Sequence, residues 1–427
     1  MHAYAHLHAS TRTRADVGAL STRGHTQAEM LAKACGLSTN FLDWGKDMEV
    51  EASYEGPHVE FPVNAANVAV VLHEIRANPD YSLHRKYVAR LLGECCHLLR
   101  EAPGVEHITV PHNGKVVVFG DTHGQLADFL LVLQRHGPPG ERVTYLINGD
   151  IADRGDNSLE IFVIILLYKL LYPDRVFVNR GNHENHDINR KPAESGGGFF
   201  DEIVYKLDGS IFILFQIFFE MLPLITVINK QVQHQMVAWT LLPSRGRLQQ
   251  RSALCLAPRR CLRAAHSTPC AEQPGCGEPP RAKTKPEQVR VMMMMRQVAV
   301  MHGGVPRIEG LTLERISGIA RRRQCPKVVQ SPEDAILFDL MWADPQDAKG
   351  ISMAAQRGPN CRKFGPDVTK RFLSDNALSL CIRSHEVPTT LRGFEERHDR
   401  RLLTVVPLCV FAFCVCLVCK CLVRAAR

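Results

Sequence analysis

Eight charged or amide side chains able to bind a metal ion or a phosphate stand just after three short apolar runs. Val116–Phe119 leads into Gly120-Asp121-Thr122-His123-Gly124, and Val143–Asn148 leads into Gly149-Asp150-Ile151-Ala152-Asp153-Arg154-Gly155. Val176–Arg180 leads into Gly181-Asn182-His183-Glu184. The donors are oxygen and nitrogen without a thiolate, a set that suits hard or borderline ions such as Mn, Fe, Zn or Mg. Carboxylates brought close together repel unless a cation or a shared proton lies between them. Two such ions about 3.5–4 Å apart form a clamp for in-line attack at phosphorus. A single Gly-Asp turn could simply cap a helix. Three turns of one build, each with a second ligand type, exceed what capping accounts for.

The elements around these turns must carry them to one place. Each apolar run is β-branched and of strand length. Leu126–His136 has apolar residues at helical spacing, and Ser158–Leu171 is an apolar run of helical length. Strand, helix, strand, helix, strand is a βαβαβ pattern, which makes parallel strands the default. Parallel strands end on one edge of the sheet, where open α/β sheets bind ligands. Asp121, His123, Asp150, Asn182 and His183 are therefore expected to converge.

With these residues in view, the chain resembles the PPP-family serine/threonine protein phosphatases, with the type 5 branch nearest. The resemblance continues in His302-Gly303-Gly304, in Asp339–Pro345 and in Arg383-Ser384-His385-Glu386, and covers about residues 85–230 and 297–406. It implies a metallophosphoesterase-type α/β fold: a β-sandwich of mixed sheets flanked by helices, with the βαβαβ unit as its metal-binding core. It implies two divalent metal ions. Asp121, His123 and a bridging Asp150 would hold one; Asp150, Asn182, His302 and His385 would hold the other. It also implies that Arg154 and Arg357 bind phosphate oxygens, as a guanidinium fork suits. His183 would protonate the leaving alkoxide and Asp153 would orient it. A metal-bridging hydroxide would attack phosphoserine or phosphothreonine directly. Arg357 stands in a loop, Arg357–Gly365, one residue longer than the family pattern. Two other readings share parts of this set: a metallophosphoesterase acting on small phosphoesters, and a catalytically weak pseudophosphatase serving as a binding module.

The rest of the chain reads in five parts. Residues 1–60 carry little periodicity and read as disordered or weakly structured. Residues 61–230 open with two amphipathic helices, Asn67–Arg76 and Leu83–Arg100, and form the first part of the catalytic domain. Phe199–Leu207 and Ile211–Leu222 read as buried helices, and Ile225–Lys230 as a strand due to turn back at once. Residues 231–296 intervene instead, as a basic, low-complexity insertion: a disordered lineage-specific segment or translated intron. They hold 11 Lys and Arg against 3 acidic residues, and the rest of the chain balances at 41 of each. The overall charge of +8 thus belongs to one segment, which argues against a nucleic-acid-binding face on the fold. Residues 297–406 form the second part of the domain, with strands at Gln297–Met301, Ala377–Ile382 and Leu402–Val406 and helices at Asp334–Met341 and Phe364–Asn376.

Residues 407–427 depart from the pattern. No Tyr-bearing closing turn follows Val406, and the family's final strands are expected to be missing. Leu402–Cys419 is apolar and long enough to span a bilayer at the lower limit. A membrane contact is expected only if that tail acts as an anchor; otherwise the placement is cytoplasmic or nuclear. No tetratricopeptide period and no EF-hand loop is present. Phosphoproteins are the implied substrates, and no regulatory protein is named by any motif.

Overall fold

The computed structural model describes residues 30, 32–33, 36–78, 81–229, 297–387, 394–405 and 414–418. The insertion at 231–296 lies outside the described residues, as do most of 1–35 and the segments around the last strand.

Two sheets face one another. The larger runs β1 (Val105–Thr109), β5 (Ile225–Asn229), β6 (Gln297–Met301), β10 (Leu378–Arg383), β12 (Leu402–Val405), β11 (Phe394–Arg397) in spatial order. The smaller runs β13 (Cys414–Val418), β2 (Lys115–Phe119), β3 (Val143–Ile147), β4 (Val176–Val178). A third, small sheet orders β7 (Asp344–Pro345), β9 (Arg362–Phe364) and β8 (Ile351–Met353). β2, β3 and β4 are parallel, as the βαβαβ pattern requires. β5 and β6 pair antiparallel with Ile225 opposite Met301, so the strands on either side of the insertion do form one hairpin.

Alternation along the strands builds the layers. Val116, Val118, Leu146, Val298, Val300, Ile382 and Leu403 point between the two sheets and form one buried cluster. Their neighbours Val117, Phe119, Tyr145 and Ile147 point the other way, into a helical layer. Ala299, Met301 and Cys381 point out of the larger sheet into a second helical layer. Period-two alternation on a sheet buried on both faces makes every position apolar. That is why these strands read as continuous apolar runs.

The first helical layer contains α1 (Ala65–Ala77), α2 (Arg85–Leu99), α3 (Leu126–His136), α4 (Ser158–Leu171), the short α5 (His186–Asn189), α6 (Phe199–Lys206) and α7 (Gly209–Met221). The second contains α8 (Leu313–Ser317), α9 (Pro332–Trp342) and α10 (Pro366–Asp375). α4 is buried from Ser158 to Lys169 without an exposed stripe, as expected of a helix enclosed by others. Local signals set the ends. Asp208 accepts the Ser210 and Ile211 N–H groups at the start of α7. Ser331 and Asp334 form a capping box at α9 with Pro332 in its first turn. In the N-terminal region, Phe41 and Trp44 are buried in the first helical core.

Three expectations are corrected. The run Leu402–Cys419 is not a spanning helix, because Leu402–Val405 and Cys414–Val418 are both strands. Among the described residues no helix is long and apolar enough to cross a membrane. Nor are the final strands all missing: β13 pairs antiparallel with β2, Cys414 opposite Phe119, and covers that edge of the smaller sheet. Alternating β-branched and Cys residues suit a strand as well as an apolar helix, and periodicity alone could not separate them. Phe364 belongs to β9 rather than to the following helix, because Gly365-Pro366 starts that helix anew.

Candidate metal centre

Strand ends deliver the ligands, and left-handed backbone aims them. His123, Asp150, Asp153, Arg154 and His385 all have positive φ, between 41° and 73°. Non-glycine residues held there are strained, and such strain concentrates at sites. The turns can nest only because they contain glycine. A Cβ on Gly149 would stand 2.5 Å from Gly181 Cα, and one on Gly181 would stand 2.3 Å from Asp150 Oδ1.

Asp150 stands at the centre. Its Oδ2 lies 3.6 Å from His123 Nε2 on one side and 3.2 Å from His302 Nε2 on the other. Its Oδ1 accepts the His183 N–H at 2.9 Å. Two overlapping donor groups result: His123, Asp150 and His183, and Asp150, His302 and His385. Around His302 Nε2 three further donor atoms converge: Asn182 Oδ1 at 2.9 Å, Asp150 Oδ2 at 3.2 Å and His385 Nδ1 at 3.3 Å. Acceptors converging on one point need a positive charge among them, a proton or an ion. Asp121 joins through the second group, accepting the His385 N–H at 3.2 Å with the same oxygen 3.8 Å from His302 Nδ1.

The electrostatics fit a cation site. Burial raises the Asp121 carboxyl, and neighbouring Asp150 raises it further. Burial opposes ionisation of Asp150 too, but His302 and His183 outweigh it and hold that carboxyl well below its ordinary range. Burial works against a charged His302 as well, but Asp150 and Asp121 push it up to about 9. His123 is pushed down to about 3 by burial and by His183. His123 donates from Nδ1 to the Ala152 carbonyl at 2.8 Å, leaving a buried Nε2 without a hydrogen-bond partner. His385 turns Nδ1 to His302, and its Nε2 faces Asp344 Oδ1 at 3.9 Å. A buried nitrogen lone pair facing a carboxylate, as at His123, is costly unless a ligand takes it. The residues present therefore fit divalent ions.

The remaining expected residues gather at the same place. His183 donates from Nδ1 to Asp153 Oδ2 at 2.8 Å, and Arg154 Nη2 lies 3.4 Å from His183 Nε2. Arg357 bonds through Nε to Asp344 Oδ2, and its charge helps lower His385 after burial. Arg357 ends the Ala355–Arg357 3-10 helix that precedes β9.

Several residues that position the site carried no role in the sequence reading. The Glu184 carboxylate accepts four backbone N–H groups: Asp150 at 2.8, Ile151 at 2.8, Ala152 at 3.2 and Gly181 at 2.9 Å. It ties the second turn to the third. Asn179 donates to Asn148 Oδ1 at 2.9 Å and to the Val300 carbonyl at 3.0 Å, while Asn148 donates to the Met301 carbonyl at 2.9 Å. These amides lace the two sheets together below the ligands. Their only sequence signal is an Asn one or two residues before a glycine turn.

The chain matches a family model described as calcineurin-like phosphoesterase over residues 114–253. It is 29% identical to serine/threonine-protein phosphatase 5 of Arabidopsis thaliana over 92% of its own length and 58% of the relative's. It is 30% identical to the Homo sapiens protein of that name over 84% of itself and 56% of the relative. The chain thus spans less than two thirds of those relatives. Among solved structures it is similar to a protein serine/threonine phosphatase from Saccharomyces cerevisiae with similarity to human phosphatase PP5. That match has a TM-score of 0.56 and 30% identity, and covers 78% of this chain and 82% of that one.

Proposed function

The chain belongs to the calcineurin-like phosphoesterases, in their serine/threonine protein phosphatase branch, and from that membership we propose that it hydrolyses phosphoserine and phosphothreonine in proteins with two divalent ions. The observation that carries the reading is the Asp150 carboxylate shared between two histidine groups, with an unpartnered ring nitrogen at His123. Asp121, His123 and Asp150 are assigned to one ion, and Asp150, Asn182, His302 and His385 to the other. Bound there, two divalent ions supply Lewis acidity to phosphoryl oxygens and lower the pKa of attacking water.

The chain's own residues do the rest. Arg154 and Arg357 flank the ligands with guanidinium groups suited to phosphate oxygens. Asp344 holds Arg357 by its Nε, which leaves the terminal nitrogens to face substrate. His183, held through Nδ1 by Asp153, presents Nε2 to the ester oxygen and delivers the proton that the departing alkoxide needs. Burial of His123, Asp150 and His302 keeps water from screening these charges.

The test is turnover of a phosphoserine peptide by the purified protein, before and after chelation and after adding back Mn, Fe, Zn or Mg singly. Activity lost on chelation and restored by an ion is the expected result. Equal turnover after thorough chelation rejects the two-ion assignment, and no turnover under any ion favours a binding role.

A further inference from the structure

Asp153 holds His183, and what holds Asp153 comes from outside the three glycine turns. Its Oδ2, which accepts from His183 Nδ1, also accepts from Asn189 Nδ2 at 2.8 Å. Its Oδ1 accepts the Phe199 N–H at 3.0 Å, at the start of α6. Asn189 is the last residue of α5. Its Nδ2 reaches the His183 carbonyl at 2.6 Å as well, so one amide grips both the backbone of His183 and that residue's carboxylate partner. On its other side, Asn189 Oδ1 accepts from Gln216 Nε2 at 3.0 Å. Gln216 sits in the middle of α7, beside the buried rings of Phe215 and Phe219. Asp153, Asn189 and Gln216 are all buried.

We infer that Asn189, braced by Gln216, is a positioning residue that fixes the His183–Asp153 pair for proton delivery. The inference rests on the phosphatase reading above. Asn189 and Gln216 bear no charge and touch no assigned metal ligand through their side chains, so they act through Asp153 and His183. The χ2 torsion of a carboxylate is broad, and without Asn189 only Phe199 and the imidazole itself would hold this one. With Phe199 on one oxygen and Asn189 on the other, its plane is set. The imidazole it holds is set in turn. α7 supplies the rigidity, because a buried helix among packed aromatic rings moves little. Asn189 and Gln216 would thereby transmit core rigidity to a proton donor, which is how supporting residues hold a reactive group in productive geometry.

The chemistry offers a test that separates positioning from general support of the fold. When the ester P–O bond breaks, its electron pair goes to the leaving oxygen, and His183 Nε2 gives that oxygen a proton. A seryl alkoxide is strongly basic and needs the proton; p-nitrophenolate leaves without it. A misplaced His183 therefore slows the seryl ester more than the nitrophenyl ester. General loss of folded protein slows both alike.

The experiment compares wild type, Asn189→Ala and Gln216→Met, each Mn-loaded, on a phosphoserine peptide and on p-nitrophenyl phosphate. Asn189→Ala is expected to lower the peptide-to-nitrophenyl ratio of kcat about tenfold or more, a fraction of what general acid catalysis supplies. Gln216→Met should lower it in the same direction by less. An unchanged ratio in a folded variant overturns the inference. If Asn189→Ala is insoluble, the Gln216→Met ratio decides by the same criterion. Wild type inactive on both substrates removes the phosphatase reading, and this inference with it.

Discussion

At the scale of single residues, the centre depends on Asp150 more than on any other side chain. It is the one carboxylate common to both donor groups, and its two oxygens serve different neighbours. Asp150→Asn keeps the shape but replaces one oxygen with an NH2 that has no lone pair for an ion. Metal content, measured after gel filtration, is expected to fall from two ions per chain to one or none. Turnover should fall at least about 100-fold, the scale of losing a main source of charge stabilisation at phosphorus. An Asn variant that retained both ions and its rate would dismiss Asp150 as the bridge. Asp121, His123, Asp150 and Asn182 were readable in sequence because they stand in glycine turns at the ends of apolar runs, whereas His302 and His385 came from the family resemblance. Glu184, Asn148 and Asn179 were not, because their partners are backbone groups brought near only by the fold. Nothing in spacing marks a carboxylate that accepts N–H groups from a turn some 30 residues away.

Among elements, a small buried ion cluster joins α4 to α6 beside the second turn. Glu202 accepts the Leu159 N–H at 2.9 Å, and Lys206 reaches Glu160 at 2.7 Å and Glu202 at 3.0 Å. The Glu202 side chain is only 7% exposed. Burial, partly offset by Lys206, pushes its carboxyl up to about 7. The folded state therefore holds a proton there that the unfolded chain releases near its ordinary value. The stability this supplies is fully present below about pH 4.5 and is lost as pH rises through about 7. Glu202→Gln keeps an acceptor for Leu159 and removes the titration. The unfolding free energy of wild type should fall relative to Glu202→Gln by about 2 kcal/mol between pH 5 and 8. Urea titrations at several pH values read this difference directly, and parallel curves would show that Glu202 stays charged throughout. At this scale the long elements were legible. α3 and α4 match their apolar spans, because sustained helical periodicity is the strongest local signal. β1, β8 and β11 were not foreseen: they are edge or polar strands such as Glu395-Glu396, whose pairing comes from neighbours. β13 was misread, since a five-residue apolar strand within a longer apolar run carries no period of its own to decide by.

For the whole molecule, the decisive feature is that two sheets close around a hairpin whose strands are separated by 67 residues in sequence (230–296). β5 and β6 are adjacent in the larger sheet and pair from Ile225 opposite Met301 to Ile228 opposite Val298. Val298 and Val300 face the smaller sheet while Ala299 and Met301 pack in the cluster that holds α9, so among the described residues the register of β6 is fixed on both faces. His302 follows β6 directly, and its Nδ1 lies 2.8 Å from the Asn148 carbonyl across the sandwich. Pairing and packing thus place a candidate ligand. Antiparallel neighbours need only a short turn to join them, and loop closure costs less as the loop shortens. Replacing residues 231–296 with a short Gly-Asn-type turn should therefore leave metal content and kcat within about twofold of the full chain. It should also raise the thermal midpoint by a few degrees, since each halving of the length of chain to be closed recovers about 0.6 kcal/mol. Differential scanning and metal analysis on the shortened protein make the comparison. A shortened chain that fails to fold, or folds without its ions, would mean that the segment supplies contacts the hairpin needs, and that 231–296 belongs to the catalytic domain.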